Sequence, residues 1–211
     1  MPVVARPAPT ELDEETIPVP RAVRFPVELI PPEGFDPERL ETWPQVEGRL
    51  EWVGGRLLYM PPCGDLQQLT VTDLVTTLGN WARSHPEFAV GTNEAGMLLG
   101  RDVRAADGAV WQRARVGPFH GGLPRVPPIL AAEVASRDER EPSLRDKARW
   151  YLDAGVAVVW VLFPKEREVL VVTRSGESRY RTGERLPLDP RLPDLTPEVD
   201  ELFLQISARG D

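Results

Sequence analysis

Two nearly unbroken apolar runs, "PILAAEVA" and "VAVVWVLFP", stand on either side of an amphipathic stretch, and no other feature limits the fold of this chain so sharply. A strand without polar alternation is one covered on both faces. The stretch between them, about 142–154, sets Leu144, Ala148, Tyr151 and Leu152 on one helical stripe, with Pro142 in the first turn and Gly155 just past the end. Strand, helix and strand in succession imply a parallel pair with the helix laid across one face. The expected class is α/β, a mixed β-sheet flanked by helices.

The flanking sequence fits that plan. "RLEWVGGRLLYM" reads as a hairpin turned at Gly54 and Gly55. Residues 67–83 carry Val71, Leu74, Val75, Leu78 and Ala82 at helical spacing, with Gln67 on the same face. "EFAVGT", "GMLLG" and "GAVWQRA" read as short strands, "EVLVVT" as a strand paired with "VAVVWVLFP", and "SRYRTGERL" as an edge. "DPERLETW" predicts a short helix opened by Asp36 and Pro37, and "DELFLQI" a short element near the end. The proline-rich residues 1–35 predict an extended arm, and 36–211 a single domain.

Composition narrows the function. No stretch has the roughly 20 apolar residues of a membrane span, and the first residues lack a signal-peptide core, so a cytoplasmic protein is expected. A single cysteine, Cys63, excludes a disulfide framework and a cysteine-rich zinc site. The net charge of -8 argues against binding nucleic acid by bulk positive field. Residues 101–149 nevertheless hold ten Lys/Arg against seven Asp/Glu, a local balance of +3.

Chemistry centres on Glu133, a carboxylate inside an apolar strand. Withdrawing that charge from water costs several kcal/mol unless it is paired or binds a metal, and both readings are open. Lys147, fourteen positions on, borders the helix face that packs on the sheet. Asp107, in "RAADGAVW", either caps a turn or begins a strand as a ligand. Two carboxylates at the ends of adjacent strands suit a hard divalent cation such as Mg²⁺ or Mn²⁺, and a lysine beside them suits phosphodiester hydrolysis. His85 and His120 stand in no metal pattern, and no phosphate-binding glycine loop is present.

These residues resemble a known pattern. Glu133-Val134, Lys147, Tyr151, Ala154-Gly155-Val156 and Val159-Trp160-Val161 are similar to the signature half of the bacterial Uma-type family of putative restriction endonucleases, and "RLEWVGGRLLYMPP" resembles its opening hairpin. The resemblance spans roughly 40–186 and implies a PD-(D/E)xK, restriction-endonuclease-like core whose lysine has moved from the strand to the following helix. It further implies that Asp107, Glu133 and the Val134 carbonyl hold Mg²⁺ or Mn²⁺, that Lys147 positions the attacking water, and that Glu51, Gln67 and Tyr151 are auxiliary. Ala106 and Gln67 replace the family's usual proline and histidine.

The expected function is metal-dependent hydrolysis of phosphodiester bonds, in DNA, by a homodimer without membrane attachment. Arg101, Arg104, Arg113, Arg115 and Arg137 are expected to form a basic rim for the phosphate backbone. The rival reading is a catalytically inactive nuclease fold that binds nucleic acid or a protein.

Overall fold

The computed structural model describes residues 25–46, 48–60, 63–137 and 139–207. Its strands are β1 (Val27–Leu29), β2 (Arg49–Val53), β3 (Arg56–Met60), β4 (Phe88–Leu99), β5 (Asp102–Gln112), β6 (Leu130–Val134), β7 (Val158–Phe163), β8 (Glu168–Thr173) and β9 (Gly176–Arg181). Its α-helices are α1 (Asp65–Ser84), α2 (Arg113–Val116), α3 (Glu141–Asp153) and α4 (Leu204–Ser207). Among the described residues nine strands form one mixed sheet in the order β1-β3-β2-β5-β6-β7-β8-β9, with β4 paired to β5.

The strand-helix-strand unit is as expected: β6 and β7 are parallel, α3 crosses between them, and Gly155 takes a φ of 99° where the helix ends. Period-two alternation divides the core into two layers. Leu130, Ala132, Trp160 and Leu162 face α1 and the C-terminal residues Leu186, Val199 and Phe203. Ala131, Val159 and Val161 face Leu144, Ala148 and Tyr151 of α3. Glu133 shares the parity of Ala131 and therefore belongs to the α3 layer.

Two readings are corrected. The short strands around residue 100 are one long hairpin, so Asp107 lies in the middle of β5 rather than at its start. "DPERLETW" forms only a 3-10 turn at Leu40–Thr42, because the Thr42 hydroxyl donates back to Asp36 and Arg39 carbonyls and closes the segment. Within the expected arm, Val27–Leu29 is extended and lies on the domain as a strand bonded to β3; residues 1–24 lie outside the described residues.

The sheet has a fork. β4 accompanies β5 along its whole length, whereas β2 meets β5 only at Trp52–Val103 and β6 meets it at Gly108–Val110. With one edge of β5 taken by β4, β2 and β6 must share the other edge and part from one another near Asp107. A β-bulge in β4 between Thr92 and Ala95 falls opposite the same residue, bending the ladder there.

Candidate active site

A fork strands backbone groups that a continuous ladder would satisfy, and buried amides need acceptors. Here side chains supply them. The Val134 N–H donates to Asp107 Oδ2 at 2.7 Å, and the Ala105 N–H to Glu51 Oε1 at 3.5 Å. The Val134 carbonyl accepts from Gln67 Nε2 of α1 at 3.1 Å. The last ladder pair is Gly108–Ala132, so one further step in register sets Asp107 against Glu133, a separation of about 5 Å between Cβ atoms in such pairs.

From α3, Lys147 Nζ donates to Glu133 Oε2 at 2.6 Å and lies 3.9 Å from Glu51 Oε1. One turn on, the Tyr151 hydroxyl donates to Glu133 Oε1 at 2.7 Å. Tyr151 is therefore both a core side chain, fully buried, and a partner of the site. Arg49 of β2 lies 3.7 Å from Glu51 Oε1 and 3.7 Å from Asp107 Oδ1. Glu51, Asp107, Glu133 and Lys147 are each less than a tenth exposed.

The electrostatics follow from burial. Three carboxylates (Glu51, Asp107, Glu133) face two cations (Arg49, Lys147), leaving one negative charge in excess. Loss of solvent pushes Glu133 up to about 7; Lys147 pulls it down, and nearby Asp107 raises it further. Burial likewise raises Asp107 against the pull of Arg49, Lys147 and the Val134 N–H. Burial disfavours the Lys147 ammonium, but Glu133 and Glu51 outweigh it and the group stays charged at neutral pH. Burial, with Glu133 and Glu51, holds Tyr151 well above the usual phenol range.

Among the described residues, no three His, Cys, Asp or Glu side chains form a ready cation cage. Asp107, Glu133 and the Val134 carbonyl offer hard oxygens of the kind a divalent cation takes, in a cluster whose net charge such an ion would reverse to +1. By donor chemistry this set would suit Mg²⁺ or Mn²⁺.

The five expected rim arginines are dispersed. Arg104 stacks on the Trp150 indole, 4.7 Å from its centroid, at the turn of α3 that carries Tyr151. Arg137 is exposed just past β6, and Arg101 lies in the β4–β5 turn. Arg113 and Arg115 sit on α2 beyond the opposite end of β5, where Arg113 donates to the Pro86 carbonyl. Two participants were not anticipated. Arg49 is signalled by its i, i+2 spacing from Glu51, which puts both on one face of β2. Asp102 accepts from the Gly54 N–H at 2.9 Å and the Trp150 indole at 3.0 Å, tying the hairpin that carries Glu51 to the helix that carries Lys147; no local pattern announces that role.

The described helices include none long and apolar enough to cross a membrane. No curated protein matches the chain. Its fold is similar to the crystal structure of a "putative nuclease belonging to DUF820" from Anabaena variabilis, with a TM-score of 0.68 and 16% identity over 78% of this chain and 94% of that one. The Uma2 family model, described as "Putative restriction endonuclease", matches residues 37–206. By that match the chain belongs to the Uma2 family.

Proposed function

We propose that the protein is a divalent-metal-dependent nuclease acting on DNA. The observation that carries this reading is the meeting of Asp107 and Glu133 across the fork, with Lys147 bonded to Glu133 inside a buried cluster of excess negative charge. Asp107, Glu133 and the Val134 carbonyl would hold Mg²⁺ or Mn²⁺. When bound, such an ion polarises a phosphate oxygen and lowers the pKa of a water.

The chain's own groups supply the remainder. Lys147, held charged, orients the nucleophile and offsets charge that develops on phosphate rather than accepting a proton. Tyr151 and Lys147 fix the Glu133 carboxylate from two sides, and Gln67 orients the Val134 carbonyl. Arg104 and Arg137 are the rim arginines best situated to meet the phosphate backbone, and two copies of the chain would give one site per strand of a duplex.

Calorimetric titration with Mg²⁺ or Mn²⁺, paired with an oligonucleotide hydrolysis assay, tests the reading. The wild type is expected to bind the ion and cleave, and Glu133→Gln to do neither. A wild type that binds no divalent ion would remove the proposal. One observation favours an inactive binding module instead: Lys147, Tyr151, Val134 N–H and Gln67 already engage the candidate donor oxygens. Binding of single-stranded or duplex DNA with neither metal binding nor cleavage would select that second reading.

A further inference from the structure

A cleft of about 390 Å³ opens beside the carboxylate cluster, walled by Leu40, Trp43, Val46, Leu50, Val103 and Leu123. It falls in the size range of small-molecule sites, roughly 300–1,000 Å³. Arg49 and Ala105 also line it, and both touch the cluster: Arg49 lies beside Asp107 and Glu51, and the Ala105 N–H faces Glu51. An occupant of the cleft is thus one side chain away from the candidate metal donors.

We infer that this cleft seats the base of an unpaired nucleotide whose phosphate enters the carboxylate site. The inference rests on the nuclease reading and names its substrate class. Two observations carry it. The wall is apolar and includes an indole, which stacks on bases of any sequence. That indole is held in place by packing, Trp43 on Phe35 at 5.5 Å between ring centroids and Phe35 on Trp52 at 5.1 Å. A base within an intact duplex could reach the cleft only by unstacking, so single strands or distorted duplexes are favoured.

Leu40 and Val46 are 43% and 39% exposed, so changing them alters the cleft with little effect on the core. The test measures, by fluorescence anisotropy with Ca²⁺ replacing Mg²⁺, the affinity of a single-stranded oligonucleotide, the same sequence as a duplex, and an abasic sugar-phosphate chain of equal length. The wild type is expected to prefer the base-bearing single strand over the abasic chain by about tenfold or more. Leu40→Glu and Val46→Trp should erase that preference while metal affinity by calorimetry is unchanged. Equal binding of base-bearing and abasic chains, or a preference untouched in both cleft variants, would overturn the inference and leave metal-dependent cleavage standing. A wild type that binds neither metal nor oligonucleotide removes the nuclease reading and this inference with it.

Discussion

Two charge networks flank α3, and they differ in how their charges are balanced. On the outer side, Glu141, Glu168 and Glu177 meet Arg145, Arg179 and Arg181, three against three; Arg179 and Arg181 both donate to Glu168, and Arg145 bonds Glu141 and Glu177. Hydrogen bonds from Arg181 and Arg179 hold Glu168 below the usual carboxylate range. On the inner side, three carboxylates meet two cations out of solvent, and Glu133 is pushed up to about 7. The outer network is balanced and needs no further ion. The inner one carries an unmet charge that a proton or a metal can answer, and a stable fold tolerates such a residue chiefly where it has use.

The sharpest way to break this contrast is to remove the cation that the inner cluster cannot spare. Lys147→Ala should lower turnover by about 10²-fold or more while the metal still binds. In metal-free buffer it should also cost about 3–5 kcal/mol of stability, because Glu133 loses its buried partner. Single-turnover cleavage and thermal melts in chelator check both; full turnover in this variant would return the inner cluster to a structural role.

A smaller effect comes from pH. Glu133 titrates higher in the folded protein than its ordinary value of 4.5, so its protonated form is the favoured one when folded. Its contribution is therefore full below about 4.5 and is lost as pH rises through about 7, a change on the order of 3 kcal/mol. Melts of the metal-free wild type, set against Glu133→Gln, should show this decline only in the wild type. Metal affinity should move oppositely, tightening as pH rises through about 7 because the ion no longer displaces a proton.

The smallest effect is expected outside. Glu168→Gln should cost about 1 kcal/mol or less, since its partners remain partly solvated. Glu168 is lowered, so its contribution is present above the ordinary carboxylate range and fades as pH falls through the depressed value. A loss as large as that of Lys147→Ala would erase the distinction between the networks.

Much of the architecture could be read directly. The hairpin at Gly54 and Gly55, the helix over 67–83 and the parallel β6–α3–β7 unit all followed from apolar periodicity and turn residues. Local sequence misplaces Asp107, because Asp-Gly after small residues usually marks a turn, whereas the residue lies in mid-strand. Gly108 serves another purpose: a Cβ there would lie 3.2 Å from Leu74 Cδ2, so glycine lets α1 approach the strand. Arg113 and Arg115 follow Asp107 closely in sequence, yet a strand rises about 3.3 Å per residue and carries them away from it.

The chain's own order of residues determined which segments are strands and helices, that Glu133 would be buried, and that Lys147 would lie near the sheet, because these depend on spacing within one element or between neighbours. Only the tertiary structure decided that β2 and β6 part along one edge of β5, for strand pairing between distant segments leaves no local trace. That fork gathers Arg49, Glu51, Asp107 and Glu133 from three strands, and its stranded amides need carboxylate acceptors. The excess charge of the site is a property of that convergence, which no single stretch of sequence contains.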